Sequence, residues 1–138
     1  MERSLVLVKP DAMERGLAGA IIARLQGEGL KLIALKMLHI DKVLAERHYA
    51  IHKGKFFFDD LLAYITSTPV VAAAFEGEDA IARIRKVMGA TDPAKAAPGT
   101  IRKDYGLDNM RNSTHASDSP ENAAKEIALF FTKKEILS

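Results

Sequence analysis

One histidine, His115, lies among small polar residues and a carboxylate in the segment formed by residues 112–118. An imidazole is both uncharged and nucleophilic near neutral pH, so in such surroundings it can accept a group as well as a proton. The segment therefore predicts that His115 accepts a phosphoryl group. A single histidine leaves a second interpretation open, that of a hydrogen-bonded structural residue just before a helix cap.

Side chains elsewhere in the chain carry groups that bind phosphate. A triphosphate needs several donors to neutralise its charge, and arginine offers a forked partner for phosphate oxygens. The candidates are Lys9, Tyr49, His52, Arg85, Thr91, Arg102 and Asn112. Three consecutive phenylalanines at 56–58 could place one ring at the surface as a stacking platform for a base. Aromatic residues near helix starts also belong to cores, so both interpretations stand.

Several other chemistries are excluded by missing residues. The chain has no cysteine, which rules out disulfides, thiol catalysis and cysteine-based metal centres and fits a reducing compartment. Gly54-Lys55 is followed by Phe56 and has no upstream glycine, so there is no P-loop. No Gly-x-Ser-x-Gly elbow is present, which argues against a serine hydrolase.

His48 and His52 are four residues apart and could share one face of a helix as a metal pair. The residue after His48 is not acidic, as the zinc-protease motif would require. A solvated or structural pair is therefore the favoured interpretation.

The composition is typical of an ordinary globular domain. The chain has 138 residues, a net charge of +2 and 28% charged residues, which predicts one domain over residues 1–138 with a mixed polar surface. No basic block indicates a nucleic-acid partner. The first apolar run meets Lys9-Pro10 too soon for a signal peptide or membrane span, so we expect a cytoplasmic protein without a membrane partner.

Hydrophobic patterning divides the chain into strands and helices. Strands are predicted at 4–9, 31–40, 70–76 and 112–116. Helices are predicted at 16–29, 42–51 and 59–66, from an Asp79 cap to Gly89, and from a Ser119 cap to about 131. Residues 89–111 show no clear period and predict a folded binding loop, and the polar tail from 132 is expected to be peripheral.

This element order predicts an α+β fold of the ferredoxin-like, split βαβ type. Two βαβ halves would form a four-stranded, mainly antiparallel sheet covered by helices. Lys9 would then lie at the carboxyl end of a buried central strand, where ligands commonly bind.

Five motifs in order over nearly the whole chain resemble nucleoside diphosphate kinase. They are Val8-Lys9-Pro10-Asp11, His48-Tyr49-x-x-His52-x-x-Lys55-x-Phe57-Phe58, Met88-Gly89-Ala90-Thr91-Asp92-Pro93, Pro98-Gly99-Thr100-Ile101-Arg102 and Asn112-x-x-His115-x-Ser117-Asp118. The resemblance implies the same ferredoxin-like core. It also implies transfer of the γ-phosphate of ATP or another nucleoside triphosphate to a nucleoside diphosphate. The transfer would be ping-pong through a phosphohistidine, with Mg²⁺ as cofactor and broad base specificity.

The resemblance assigns roles to individual side chains. His115 becomes the phosphate acceptor, and Glu126 becomes the carboxylate that holds the imidazole in the tautomer whose free nitrogen faces the phosphate. Ser117 matches the residue that supports the histidine loop. Phosphate contacts are matched by Lys9, Tyr49, Arg85, Thr91 and Arg102, and contacts to the ribose hydroxyls by Lys9 and Asn112.

The remaining matches concern the base and the metal ion. Phe57 matches the ring that stacks on the base, with Leu61 close by, and Asp118 matches a carboxylate near the metal through water. Phe56 departs from the commonest pattern, since many relatives have proline there. Ala116 stands where glycine is usual, which leaves open whether the turn needs a positive φ. A homo-oligomer is implied, and the short tail leaves hexamer and tetramer open.

Two functions of other classes are also compatible with parts of the chain. The segment 53–58 superficially resembles an RNA-recognition strand, and a single-stranded nucleic-acid binder would keep its affinity after His115→Ala. A non-catalytic interaction module is the other, but the joint presence of His115, Glu126, Lys9, Arg85, Arg102 and Asn112 argues against it.

Overall fold

The computed structural model describes residues 1–137 and contains one four-stranded sheet in the order β2-β3-β1-β4. Its strands are β1 (Glu2–Val8), β2 (Lys31–Leu38), β3 (Val70–Gly77) and β4 (Thr114–Ala116). Each neighbouring pair is antiparallel. This is the order of a split βαβ sheet, which confirms the predicted ferredoxin-like α+β fold.

Seven α-helices accompany the sheet within the described residues. They are α1 (Pro10–Glu14), α2 (Ala18–Gly27), α3 (Lys42–His48), α4 (Phe58–Ile65), α5 (Ala80–Met88), α6 (Ile101–Tyr105) and α7 (Pro120–Phe130). Short 3₁₀ turns occupy Ala50–His52, Pro93–Lys95 and Lys133–Glu135. No helix in residues 1–137 has the length and apolar character needed to cross a membrane.

The central strand β1 is buried on both faces because helices cover both sides of the sheet. Leu5 and Leu7 belong to the cluster that includes residues of α3, α4 and α7. Val6 and Val8 alternate with them and join the opposite cluster, which includes residues of α2, α5 and α6. Successive side chains of a strand point to opposite faces, so a continuous apolar run fits a strand between two helical layers.

Two short helices are not predicted by the hydrophobic pattern of the sequence. α1 and α6 have five residues each, less than the two turns over which helical periodicity becomes visible. α1 starts at Pro10, and α6 is capped by Thr100, whose hydroxyl accepts a hydrogen bond from the Lys103 N–H at 3.3 Å. The predicted binding loop therefore contains a helix, and that helix carries Arg102.

The predicted side-chain cap at Asp79 is wrong. Asp79 precedes α5 in a left-handed conformation, with φ of 51°, and its side chain makes no capping hydrogen bond. Instead, the Glu2 carboxylate accepts a hydrogen bond from the Ile81 N–H at 2.8 Å. The start of β1 therefore supplies the cap that the local sequence does not.

The tail is attached to the edge of the sheet. The Leu137 N–H donates to the Ile33 carbonyl at 2.7 Å, beside an irregularity in the pairing of β2 with β3. Ile136 packs against the core cluster that contains Ile33. The expectation of a peripheral tail thus suits the exposed Lys133 and Lys134, but Ile136 belongs to the edge of the core.

Candidate active site

His115 lies in the middle of β4, opposite Leu7 of β1. Its side chain is 25% exposed. His115 Nε2 lies 2.9 Å from Oε2 of Glu126, and the Ser117 hydroxyl donates to the other Glu126 oxygen at 2.6 Å. These contacts unite three of the predicted residues, because β4 and α7 bring them to one place.

The Glu126 contact determines which nitrogen of His115 is available. Burial raises the pKa of Glu126, but hydrogen bonds from His115 and Ser117 outweigh this effect and the net pKa is lowered. An ionised carboxylate only accepts hydrogen bonds, so the proton of a neutral His115 ring belongs on Nε2. The lone pair of Nδ1 is then free to act as a nucleophile.

Ser117 links this pair to the central strand. Its hydroxyl accepts a hydrogen bond from the Leu5 N–H at 3.0 Å, while its own N–H donates to the Leu5 carbonyl at 3.1 Å. A side chain therefore continues the ladder beyond the three residues of β4. The Ser119 hydroxyl then caps α7 by accepting from the Asn122 N–H at 3.1 Å, with Pro120 in the first turn.

Lys9 follows β1 directly and is buried. Its ammonium donates to Asn112 Oδ1 at 2.8 Å and to the Met110 carbonyl at 3.2 Å. Burial, and then the charge of Arg102, lower the pKa of Lys9 to about 8. The ammonium is therefore a poorly hydrated charge that an anion would stabilise.

Asn112 connects Lys9 to the loop that contains Thr91. The Asn112 amide donates to the Thr91 carbonyl at 3.0 Å and to the Asn109 carbonyl at 3.1 Å. The Thr91 side chain itself is exposed. The structure therefore groups Lys9, Thr91 and Asn112. The Asn112 amide donates both its hydrogens to the protein, whereas its Oδ1 keeps a second lone pair that can accept from a ligand.

Arg102 and Arg85 place two guanidinium groups near each other. Arg102 is buried and donates to the Gly89 carbonyl at 3.0 Å and the Thr114 carbonyl at 2.9 Å. Burial, and then the charge of Arg85, lower the pKa of Arg102 to about 10. Arg85 is exposed on α5, and its guanidinium makes no hydrogen bond or ion pair within residues 1–137. The like charges of this pair favour a bound anion.

Tyr49 closes another side of the site. Its hydroxyl is buried and has no hydrogen-bond partner in the described chain. Burial raises the pKa of this phenol, so it remains a neutral donor. A buried donor without a partner is uncommon and suits a group that contacts a ligand.

Phe57 is the residue just before α4, and Phe56 lies in the turn that precedes it, so both lie outside the sheet. The two rings meet edge to face with centroids 5.3 Å apart, and Phe56 is 97% exposed. Leu61 is partly buried against the core. RNA-recognition domains present their aromatic residues on the sheet itself, so this placement contradicts the nucleic-acid interpretation.

Asp118 is an exposed carboxylate just after β4. Its Oδ1 accepts a hydrogen bond from the Asn122 side chain at 2.7 Å, and this bond is the main reason why the pKa of Asp118 is lowered. The charge of Arg85 lowers it further. Asp118 is therefore an ionised, exposed carboxylate that interacts electrostatically with Arg85.

Two further residues lie at this site although the sequence assigned neither of them a catalytic or substrate-binding role. His48 of α3 packs edge to face on His115, with ring centroids 4.6 Å apart. The buried Asp11 accepts a hydrogen bond from the Ser113 N–H at 3.1 Å and another from the Tyr64 hydroxyl. Asp11 stands next to Lys9-Pro10 in the first motif, which was the only signal available for it.

The backbone question raised by Ala116 has a clear answer. Ala116 is buried in β4 opposite Val6, and its φ is not positive. The left-handed residue is Ser113, with φ of 73°. The Asp11 carboxylate holds the N–H of Ser113, so the turn before the histidine is maintained without glycine.

Sequence comparisons connect the whole chain to one family. The family model described as nucleoside diphosphate kinase matches residues 2–136. A nucleoside diphosphate kinase of Dehalococcoides mccartyi is 56% identical over 138 residues, which cover 100% of this chain and 97% of the relative. One from Carboxydothermus hydrogenoformans is 57% identical and covers 100% of this chain and 93% of its own length.

Solved structures agree with these sequence matches. The nucleoside diphosphate kinase of Aquifex aeolicus superposes with a TM-score of 0.96 at 46% identity, covering 99% of each chain. A halophilic nucleoside diphosphate kinase from Halobacterium salinarum, solved in complex with CDP, has a TM-score of 0.96 at 50% identity. That match covers 99% of this chain and 91% of the halophilic one.

Proposed function

The chain belongs to the nucleoside diphosphate kinase family and is an enzyme of nucleoside diphosphate phosphotransfer, and we propose that it works through a phosphohistidine on His115. One contact carries the proposal: the 2.9 Å hydrogen bond that engages Nε2 with Glu126 and leaves Nδ1 available. The acceptor nitrogen is thus selected before substrate binds.

In the first half-reaction, Nδ1 of His115 attacks the γ-phosphorus of a nucleoside triphosphate. An N–P bond forms while the bond between the γ-phosphorus and the bridging oxygen breaks, and the nucleoside diphosphate leaves with the electron pair of that oxygen. The ring becomes positively charged, and the Glu126 carboxylate on Nε2–H stabilises it. A second nucleoside diphosphate then attacks the phosphohistidine in the reverse sense, so the kinetics are ping-pong.

Cationic and neutral donors stabilise the charge on the transferring group. Arg85 and Arg102 bind the phosphate oxygens, and Lys9 offers its buried ammonium to the same region. Tyr49 supplies the hydroxyl that lacks a protein partner, and Thr91 supplies an exposed hydroxyl. Asn112 holds Lys9 in place and extends toward the ribose.

Mg²⁺ is the proposed cofactor, and Asp118 is the residue that would hold it through water. The exposed, ionised carboxylate fits this ion, which keeps several waters and is bound by one or two carboxylates together with substrate phosphates. When bound, the ion neutralises phosphate charge and orients the triphosphate. The protein's own share is to keep Asp118 ionised through the Asn122 hydrogen bond.

The base site explains the proposed breadth of substrate. Phe57 offers a ring face on which any nucleobase can stack, with Leu61 beside it on α4. Stacking reads no hydrogen-bond pattern, so ATP, GTP and pyrimidine nucleotides are all expected substrates. The CDP bound to the Halobacterium relative supports nucleotide binding by this fold.

Incubation with γ-labelled ATP and Mg²⁺ tests the mechanism. We expect a protein adduct that is labile in acid, stable in base and discharged by either ADP or GDP. His115→Gln is expected to form no adduct while still binding nucleotide. Transfer without any labelled intermediate would exclude the ping-pong route.

Three further properties are proposed from the sequence and the family resemblance. We expect a homo-oligomer (hexamer or tetramer), a single domain over 1–138 and a cytoplasmic location.

A further inference from the structure

His48 is a buried side chain for which the phosphotransfer mechanism gives no role. It is 1% exposed, yet neither ring nitrogen has a hydrogen-bond partner within residues 1–137. Buried polar groups are nearly always paired, and an exception calls for an explanation such as a water or an ion. Oε2 of Glu126 lies 3.8 Å from His48 Nδ1, beyond hydrogen-bond distance.

His48 and its two neighbours His115 and Glu126 have the composition of a metal site. His48, His115 and Glu126 each offer one ligand atom, and all three atoms lie within 4.8 Å of one another. Two imidazoles and a carboxylate suit zinc and similar divalent transition metals, whereas magnesium prefers oxygen alone. This cluster is therefore different in kind from the exposed Asp118 proposed for Mg²⁺.

The distances are close to those that a tetrahedral ion requires. Bonds of about 2.0–2.1 Å place neighbouring ligand atoms roughly 3.3 Å apart. The observed separations are 2.9 Å between His115 and Glu126 and 3.8 Å between His48 and Glu126, and the two histidine nitrogens lie within 4.8 Å of each other. The first is shorter than the ideal and the others exceed it, so rotation of the His48 and His115 rings toward each other would accommodate the ion. His115 is 25% exposed, which leaves a route from solvent.

We propose that His48 Nδ1, His115 Nε2 and Glu126 form an inhibitory site for Zn²⁺ or a similar transition metal. An ion on Nε2 replaces the proton that Glu126 holds there. A neutral imidazole carries one proton, which must then lie on Nδ1 and blocks its lone pair. The ion would thereby place the catalytic histidine in the wrong tautomer. The inhibitory effect rests on the proposed function, whereas the binding site does not.

Binding is tested on the full chain without nucleotide. Co²⁺ replaces Zn²⁺ as a visible probe, because tetrahedral Co²⁺ gives intense d–d bands, and Zn²⁺ itself is titrated by calorimetry. We expect saturable binding of one ion to the wild type, unaffected by excess Mg²⁺. His48→Phe keeps a ring of similar size and is expected to lose this binding. His48→Gln provides a second variant should His48→Phe not fold, as judged by circular dichroism.

Two matched histidine variants identify the ligands. His39→Gln removes an exposed imidazole elsewhere on the surface, where it contacts the Thr66 carbonyl. His52→Gln removes the partner in the alternative His48–His52 pair, although His52 contacts Lys55 instead. Both variants are expected to bind the ion as the wild type does. Absence of binding to the wild type, unchanged binding by His48→Phe, or its loss in His52→Gln would overturn the proposal.

The inhibitory effect has its own measurement. With Mg²⁺ in large excess throughout, Zn²⁺ is expected to abolish formation of the labelled adduct in the wild type. EDTA added in an amount equal to the Zn²⁺ takes up the more tightly chelated zinc, leaves the Mg²⁺ in place and is expected to restore the adduct. Adduct formation that continues while the ion is bound would contradict the proposed block of Nδ1. If the protein binds Co²⁺ but forms no labelled adduct in the absence of any transition metal, the phosphohistidine mechanism is refuted and the metal site is not. Failure of the proposed function and failure of the metal proposal can therefore be distinguished.

Discussion

Glu126 is the residue on which the tautomer of His115 depends. Glu126→Gln keeps the size of the side chain but replaces one oxygen with an amide that can donate a hydrogen bond to Nε2. The ring would then be stabilised with its proton on Nδ1, the nitrogen needed for attack. We expect kcat to fall by on the order of 10²-fold with little change in KM, measured by steady-state phosphotransfer.

Glu121→Gln is the matched control, because Glu121 is exposed in the first turn of the same helix. It is expected to leave both kinetic constants unchanged. A Glu126→Gln enzyme with normal kcat, or with a higher KM alone, would show that the carboxylate does not select the nitrogen.

At the residue scale, the sequence predicted which side chains act in the reaction more completely than it predicted which side chains contact one another. The roles of His115, Glu126 and Ser117 came from the family resemblance, and the structure brings all three side chains together. The same reasoning could not decide the direction of His48, because a histidine near the end of a short helix can face water or core equally well. Only the packing of α3 on α7 turns its ring toward His115.

At the scale of elements, α7 must be fixed because it carries Glu126. Ser119 caps this helix and Pro120 occupies its first turn. Ser119→Ala removes the hydrogen bond to the Asn122 N–H, and we expect the free energy of unfolding to fall by about 1 kcal/mol. Urea denaturation provides the measurement.

Lys125 lies on the exposed side of α7, and Lys125→Gln serves as the control for Ser119→Ala. Its effect on the free energy of unfolding is expected to stay within about 0.5 kcal/mol. Equal stabilities of Ser119→Ala and wild type would mean that tertiary packing alone holds the start of the helix.

Elements with long periodic or apolar runs were predictable, and short ones were not. β1 followed from four consecutive apolar residues, whereas α1 and α6 are too short for a period to appear. The cap on α5 comes from Glu2, which is distant in sequence and close only through the pairing of β1 with β3. Interactions of this kind depend on the folded topology, so local patterning cannot detect them.

At the scale of the whole molecule, the buried charge of Lys9 makes the free energy of unfolding depend on pH. The pKa of Lys9 falls from an ordinary 10.5 to about 8 on folding. Below pH 8 both the folded and unfolded states carry the charge, and its burial opposes folding. Between pH 8 and 10.5 the folded state loses the proton first, so this opposition disappears as the pH rises.

We therefore expect the free energy of unfolding of the wild type to increase relative to that of Lys9→Met over this pH range. Lys9→Met retains an unbranched side chain without the charge, and titrations of other groups cancel in the difference. Urea denaturation at a series of pH values provides the data. A difference that is flat or falls between pH 8 and 10.5 would contradict the depressed pKa.

Burial of charge is also what the sequence could not reveal about the site. The sequence predicted phosphate contacts for Lys9 and Arg102 but not that either side chain is buried. Their environment arises only when β1, α6 and residues 106–114 close around them. The motifs identified which groups would meet, and the folded chain determines how strongly each is perturbed.

The position of the phosphoryl group on His115 tests the mechanism most directly. Protein labelled with ¹⁵N-histidine would be treated with ATP and Mg²⁺ and kept at alkaline pH, and long-range ¹H–¹⁵N correlations would identify the substituted nitrogen. The hydrogen bond between Nε2 and Glu126 predicts phosphorylation of His115 at Nδ1 alone. A phosphoryl group on Nε2, or on any other residue, would contradict it.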